Sequence, residues 1–159
     1  MTEDLPFQDQ GATTLCYGCG PANEQGLQVK SHWDGDDAVC TWTAQPHHSG
    51  GTREVVNGGV IATLLDCHSL NLAIARAYRD EQRPIGSAPR VFFVTASMNI
   101  NYRRPTPLGK PLELRATLGK VEGRKTVVRC TLSCEQQLCA EADVLAIRIH
   151  RDESVEPTR

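Results

Sequence analysis

Apolar and polar positions alternate in short runs along most of the chain, and one longer stretch breaks that pattern. The alternation in residues 27–33 and 38–43 is typical of two strands, and the Asp34-Gly35 pair between them is a hairpin turn signal. Residues 60–78 carry apolar side chains on nearly every face, so they predict a long helix buried on all sides. Four further strand-like runs follow, over residues 91–102, 111–121, 126–134 and 138–150.

The order of these elements predicts the fold class. Short polar connections between the last three strands favour antiparallel neighbours. Strands, one buried helix and then a meander indicate an α+β domain, with a curled antiparallel sheet of about five to six strands around one long central helix. We expect the domain to span residues 26–150, after a loop segment over 1–25 and before a polar, frayed tail over 151–159. Because such a sheet has edges and a second face to cover, a dimer or higher assembly is expected.

Length and charge narrow the function classes. With 159 residues the chain fits one domain with its own core. Its formal net charge of -2 gives no bulk attraction to nucleic acid or to anionic membranes, so neither is expected as a partner. No apolar run approaches the roughly 20 residues of a membrane helix, and the acidic N-terminus lacks a signal-peptide pattern. Seven scattered cysteines indicate reduced thiols, so we expect a cytoplasmic location.

One acidic residue, Asp66, lies inside the predicted helix. Its neighbours at three and four positions are mostly small, so a ligand can approach that face closely. A carboxylate in such a helix is costly unless it is hydrogen-bonded, paired or used, and burial would raise its pKa and make it a better base. The alternative is an acid at a subunit interface, held by a hydroxyl group.

The triplet Asn57-Gly58-Gly59 stands at the start of the same helix. The first amides of a helix have no internal partner and lie at the positive end of its dipole, and glycines there let a ligand contact the backbone. Such a site can polarise a thioester carbonyl and hold the developing oxyanion. Taken alone, the triplet is better explained as an Asn N-cap followed by turn glycines. Together with Asp66, it provides an electrophile site and a base or nucleophile.

Three segments resemble one known family. Residues 55–66 are similar to the signature of PaaI-type thioesterases, in which His-Gly-Gly opens the central helix and an Asp follows nine residues after the His. Residues 96–105 resemble that family's next strand, and residues 16–27 resemble the N-terminal stretch of one branch. The resemblance implies a hot-dog fold that hydrolyses an acyl-CoA thioester, with no metal or cofactor apart from the coenzyme A of the substrate.

The resemblance also implies site residues. By this resemblance, the Gly58 N–H corresponds to the family's oxyanion donor and Asp66 corresponds to its nucleophile or general base. Thr95 corresponds to the residue that orients the attacking water. Asn57 replaces the usual His; its amide can hold the turn or contact the thioester, but it cannot transfer protons. In these dimers the helix-start amide and the helix acid at one thioester come from different subunits. We therefore expect a homodimer, or a dimer of dimers, with sites at the subunit interface.

Four more residues are candidates for binding the substrate and its coenzyme A. Gly59 completes the triplet, and His48 is aligned with a polar residue that the family has in the preceding loop. Arg103 and Arg104 end the strand that would lie near the pocket mouth, and guanidinium groups suit phosphate oxygens. The alternative for the two arginines is a solvated strand end.

Two minor features and two other functions complete the predictions. Cys16 and Cys19 form a CxxC pair, but no second pair supports zinc and no helix follows to support redox chemistry, so we interpret it as a turn with two buried thiols. His68 is interpreted as a core or interface histidine.

A non-catalytic hot-dog module that binds acyl-CoA or a similar ligand is the main alternative function. A hydratase on the same fold is less consistent with Asn57, because hydratases usually rely on a catalytic His.

Overall fold

The computed structural model describes residues 5–11 and 14–151. Within them lie one long helix and six strands: α1 (Gly58–Asp80), β1 (His32–Asp34), β2 (Asp37–Thr43), β3 (Phe92–Tyr102), β4 (Pro111–Glu122), β5 (Lys125–Cys134) and β6 (Gln137–Ile149). Single 3₁₀ turns cover Phe7–Asp9 and Pro46–His48. The α+β class and the strand number are confirmed, and the long helix and last four strands lie within two residues of their predicted bounds.

All six strands form one antiparallel sheet in the order β1-β2-β4-β5-β6-β3. The alternation in the sequence reflects burial of every second side chain, as at Leu112, Leu114 and Ala116 of β4. These side chains form a core with the fully buried Leu64, Leu65 and Leu72 of α1 and with the inward residues of the other strands. The core therefore lies between the helix and one face of the sheet.

Helix α1 differs from its prediction in one respect. It is not buried on all sides, because Ala62, Thr63, Asp66 and Leu70 are partly exposed. The sheet is likewise uncurled and does not surround the helix. By length and composition α1 could cross a membrane, yet 56% of its most apolar window is buried within the fold. Its apolar character is therefore accounted for by packing, and its partly exposed side includes the candidate residue Asp66.

The predicted strand over residues 27–33 is wrong for its first five residues. The Leu27 N–H donates to Tyr17 O (2.8 Å) and the Val29 N–H to Gly18 O (3.0 Å), so this backbone pairs with the preceding loop and not with a strand. The alternating side chains are still buried, since Leu27 and Val29 reach the core. The pairing holds the loop that contains the CxxC pair in a defined position beside α1.

Strand β3 positions the candidate site. It pairs with β6 and lies at one edge of the sheet. Its register shifts between Thr95 and Ser97. A bulge of this kind re-aims the neighbouring side chains. The predicted frayed tail lies, apart from Arg151, outside the described residues.

Candidate active site

Asp66 and Thr95 form the first cluster of the site. Asp66 lies on the partly exposed side of α1, and Thr95 Oγ1 donates a hydrogen bond to Asp66 Oδ1. Burial raises the pKa of Asp66 above its usual range, the hydrogen bond from Thr95 opposes that rise, and the nearby Cys16 adds to it. The result is an oriented carboxylate with an enhanced affinity for a proton.

The second cluster is the start of α1. Asn57 has an extended backbone (φ -59°, ψ 135°) and caps the helix: its Oδ1 accepts hydrogen bonds from the Gly59 N–H (2.7 Å) and the Val60 N–H (3.4 Å). The cap leaves out the Gly58 N–H, which is the first amide of the helix. Because Gly58 and Gly59 are exposed and carry no side chain, a ligand can approach this amide. The capping interpretation and the anion-site interpretation of the triplet are thus compatible.

Neighbouring segments hold this helix start in place. The Asn57 N–H donates to His48 O (2.8 Å), and the Val56 N–H donates to Thr106 O (2.9 Å). From the end of β3, the Tyr102 hydroxyl donates to Gly58 O (2.8 Å). Tyr102 was not among the site residues predicted from the sequence. Its position in the strand motif, just before the two arginines, is the feature that could have indicated it.

The two clusters are separated along the helix axis. Gly58 and Asp66 are eight positions apart, which is about 12 Å at the rise of an α-helix. A hydrogen bond to a reacting oxygen needs about 3 Å. The Gly58 N–H and the Asp66 carboxylate of one chain therefore cannot both contact one thioester carbonyl. A single chain brings together Asp66 with Thr95, and Asn57 with the two glycines, but it does not join the two clusters.

The predicted substrate residue His48 has a supporting position. Its ring is buried, packs against Trp42 and His47 with centroid distances of 5.0 and 4.1 Å, and accepts the Gln45 N–H at Nδ1 (2.9 Å). Burial lowers the pKa of His48, so the neutral ring is favoured. Its backbone carbonyl anchors Asn57. A direct contact of the ring with substrate stays a prediction.

The two candidate arginines differ in their surroundings. Arg103 Nε donates to Glu141 Oε1 (2.9 Å), and the same carboxylate accepts from Arg129 (2.8 Å). Arg104 is exposed and makes no ion pair among the residues that the structure describes. Arg104 is thus the more available of the two for a phosphate group.

The CxxC pair differs from its interpretation as two buried thiols. Cys16 is exposed and Cys19 is partly exposed. A third cysteine, Cys67 of α1, joins them, and the three Sγ atoms lie within 4.8 Å of one another. His68, the next residue, is fully buried as predicted for a core histidine.

The chain is similar in sequence to proteins of a known family. Residues 54–141 match the profile of the thioesterase superfamily. The chain is 33% identical over 104 residues to acyl-coenzyme A thioesterase THEM4 of Mus musculus, covering 64% of this chain and 39% of that protein. Identity to the Bos taurus protein of the same name is 29% over 118 residues, covering 73% and 43%. The chain thus spans about two fifths of the length of these curated relatives.

Solved structures show the same architecture. A thioesterase superfamily protein from Shewanella loihica PV-4 superposes with a TM-score of 0.63 at 36% identity, covering 81% of this chain and 97% of that one. The PaaI protein from the phenylacetic acid degradation operon of E. coli has a TM-score of 0.63 at 19% identity, covering 78% and 81%. The resemblance to PaaI-type proteins and the predicted hot-dog fold are confirmed at this level.

Proposed function

The chain belongs to the thioesterase superfamily, and on this basis we propose that it hydrolyses an acyl-CoA thioester to a free acid and CoA. The single observation that carries the proposal is the Asp66 carboxylate, which is partly buried on α1 and oriented by Thr95. Its raised pKa suits a group that must take a proton from water. In the alternative route, the same carboxylate attacks the thioester carbonyl directly, the C–S bond breaks to release the CoA thiolate, and water then hydrolyses the mixed anhydride.

The Gly58 N–H is the proposed oxyanion donor. It lies at the positive end of α1, outside the Asn57 cap, and the exposed glycines admit a carbonyl oxygen. Donation from this amide would draw electrons from the thioester carbon as water or the carboxylate attacks. Asn57 acts in this proposal through the cap, by holding the first turn so that the Gly58 amide keeps its direction.

Thr95 is the proposed positioning group for water. Its hydroxyl hydrogen is directed at Asp66, so its oxygen lone pairs remain available to accept a hydrogen bond from a water molecule. A water held between Thr95 and Asp66 would keep an oxygen lone pair for the thioester carbon. As the water oxygen bonds to the thioester carbon, one proton of the water passes to Asp66. The C–S bond then breaks, and Asp66 returns the proton to the leaving CoA thiolate.

A second copy of the chain completes the proposed site. The spacing of about 12 Å along α1 keeps one chain's Gly58 away from its own Asp66, so the amide must come from a neighbour. Strand β3 lies at the sheet edge, and its Val94 and Tyr102 are 43% and 53% exposed. An edge strand is a template for pairing with another chain. We therefore propose a homodimer, or a dimer of dimers, joined beside β3.

The coenzyme A end of the substrate is assigned to the helix start and the β3 end. Gly59 leaves space beside the reacting carbonyl, and Arg104 offers a guanidinium group for phosphate oxygens. Arg103 would have to exchange Glu141 for the substrate. Glu141 would keep its ion pair with Arg129, so the exchange does not leave that carboxylate unpaired.

The test is steady-state hydrolysis of a panel of acyl-CoAs by the full chain, with products separated by chromatography, because seven cysteines would react with a thiol reagent. We expect turnover of at least one acyl-CoA. Asp66→Asn should lower kcat by at least about 100-fold. Asp80→Asn, the same change on the same helix, is the control and should stay near wild type, since Asp80 is exposed. If the wild type turns over no member of the panel, or if Asp66→Asn remains as active as the control, the proposal is wrong.

One observation favours a second function. Asn57 stands where the family has His, and its side chain oxygen is committed to the cap, so the triplet has no group that transfers protons. A non-catalytic module that binds acyl-CoA would retain this geometry. Calorimetric binding of acyl-CoA without release of CoA would establish that function in place of hydrolysis.

A further inference from the structure

Three thiols from separate parts of the chain meet beside α1. Cys16 and Cys67 are 51 residues apart in sequence, yet their Sγ atoms are 3.8 Å apart, and Cys19 completes a cluster within 4.8 Å. Three thiolates on one tetrahedral Zn²⁺, with Zn–S bonds of about 2.3 Å, would have their sulfur atoms about 3.8 Å apart. One pair already has this spacing, and the third sulfur needs only a small shift.

We propose that Cys16, Cys19 and Cys67 bind one thiophilic divalent cation of the Zn²⁺ class, with a fourth position open to solvent. Soft thiolate ligands in a tetrahedral arrangement select such ions. Because Cys16 is exposed, water can reach the remaining position. Binding of the cation requires neither hydrolysis by Asp66 nor a second chain, so the two proposals can fail separately.

The backbone around the three cysteines holds them in position without a bound cation. The Gly20 N–H donates a hydrogen bond to Cys16 O (2.9 Å). The N–H groups of Leu27 and Val29 donate to the carbonyl groups of Tyr17 and Gly18, and these bonds hold the cysteine loop against the following segment. A Cβ at Gly18 would overlap Cys67 Sγ and approach Thr63 Cγ2, so only glycine lets this loop lie against α1. The ligands are therefore presented by a loop and a helix that are already in contact.

One amide side chain next to the cluster forms a hydrogen bond with a cysteine sulfur atom. Asn71, one helical turn after Cys67, donates from Nδ2 to Cys19 Sγ (3.4 Å) and to Cys67 O (2.8 Å). Donors directed at a metal-bound sulfur orient the ligand and stabilise its charge. Asn71 is thus the expected outer-shell partner of the cation.

A cation of this class binds thiolates and not thiols. Its binding would therefore release the protons of the coordinating thiols to solvent and leave three thiolates on a dication.

The test uses the full chain, reduced and freed of metal with a chelator, and titrated with Co²⁺ in the absence of oxygen. We expect one Co²⁺ per chain, a sulfur-to-cobalt charge-transfer band in the near ultraviolet and the intense visible bands of a tetrahedral site, all removed by added Zn²⁺. Cys16→Ser should weaken Co²⁺ binding by more than about 100-fold, which exceeds the usual loss from an outer-shell partner. Asn71→Leu should weaken it by about 10- to 100-fold.

Cys139→Ala is the matched control, because it removes a buried thiol of the sheet and should leave the cobalt spectrum unchanged. Cys16 is exposed, so circular dichroism should show that Cys16→Ser remains folded, and Cys19→Ser provides an independent second ligand variant. Three outcomes would overturn the proposal: no charge-transfer band in folded wild type, an equal spectrum in Cys16→Ser, or a Cys16–Cys67 disulfide that persists under reduction and takes up no cation.

Discussion

Thr95 Oγ1 donates a hydrogen bond to Asp66 Oδ1, so the edge strand β3 orients the carboxylate of helix α1. The contact joins two elements that are 29 residues apart in sequence. Thr95 lies next to the register shift between Thr95 and Ser97, and a bulge at such a shift re-aims neighbouring side chains. Strand and helix together therefore define the direction of the candidate base.

Replacing Thr95 by Val removes the hydroxyl group and keeps the shape of the side chain. We expect kcat for acyl-CoA hydrolysis to fall by about tenfold, the order of a lost positioning hydrogen bond. Loss of the bond also raises the pKa of Asp66, so the acidic limb of the pH–rate profile should move to higher pH. Thr95→Ser keeps the hydroxyl group and should keep both properties. An unchanged profile and kcat in Thr95→Val would remove Thr95 from the mechanism.

Gly58→Pro tests the oxyanion donor directly. Proline lacks the N–H but is well tolerated at the first position of a helix, and the extended Asn57 backbone is what a residue before proline prefers. We expect kcat to fall by about 100- to 1,000-fold, with the helix intact by circular dichroism. Gly58→Ala is the control: it keeps the N–H, and its Cβ would meet Tyr102 Oη at 3.6 Å, an ordinary contact. Equal losses in the two variants would assign the effect to crowding.

A mixture of two inactive chains tests whether the site is shared. In a dimer built from one Gly58→Pro chain and one Asp66→Asn chain, a shared arrangement leaves one site with both native groups. Random pairing should then restore about a quarter of the wild-type activity, since half of the dimers carry one of two sites. Unfolding and refolding the two chains together, against each chain refolded alone, is the measurement. No recovery, with mixed dimers shown by mass spectrometry, would place the site within one chain.

Asn57 is expected to act on stability through its cap. Asn57→Ala should lower the free energy of unfolding by about 1 kcal/mol, because the Gly59 and Val60 amides lose their acceptor. Asn57→Asp keeps the acceptor and should be as stable as wild type. Its negative charge beside the Gly58 amide opposes an oxyanion, so its kcat should fall. Urea unfolding and kinetics on the same samples separate the two effects, and a wild-type rate in Asn57→Asp would argue against an oxyanion at this position.

His68 of α1 is part of a buried hydrogen-bond network that reaches strand β2. Its Nε2–H donates to Ala38 O (3.0 Å) and its Nδ1 accepts from Ser31 Oγ (2.8 Å), which in turn accepts from Gln8 Nε2 (3.0 Å). None of these partners titrates, and burial lowers the pKa of His68 to about 4. The neutral ring is therefore the folded form.

Folding should lose stability in acid because of His68. The unfolded ring takes up a proton near pH 6.5 and the folded ring only near pH 4, so its contribution is complete above pH 6.5 and is lost as the pH falls toward 4. The loss is about 3 kcal/mol. The measurement is urea unfolding across this pH range with a chelator present. The free energy of unfolding should fall with decreasing pH in wild type and, with the same slope, in His150→Leu. In His68→Leu the slope should be reduced, and an unchanged slope would contradict the assignment.

Periodicity predicted the helix and the five strands β2 to β6 because it records which side chains are buried, and burial was confirmed at residues such as Leu64 and Leu112. It failed at residues 27–31, where the pattern of burial is that of a strand but the backbone pairs with Tyr17 and Gly18. It also overestimated how far the sheet encloses α1, because apolar composition does not show which neighbours cover each side of a helix.

The sequence by itself determined the α+β architecture, the family, and the identity of Asp66 and Gly58 as the main candidates, since these depend on local periodicity and on a contiguous motif. Only the tertiary structure decided which groups meet. It placed Thr95 on Asp66, paired Arg103 with Glu141 and brought Cys67 to the CxxC pair. These contacts join residues far apart in the chain. Their distances are set by the packing of loop, helix and sheet, which no local pattern encodes.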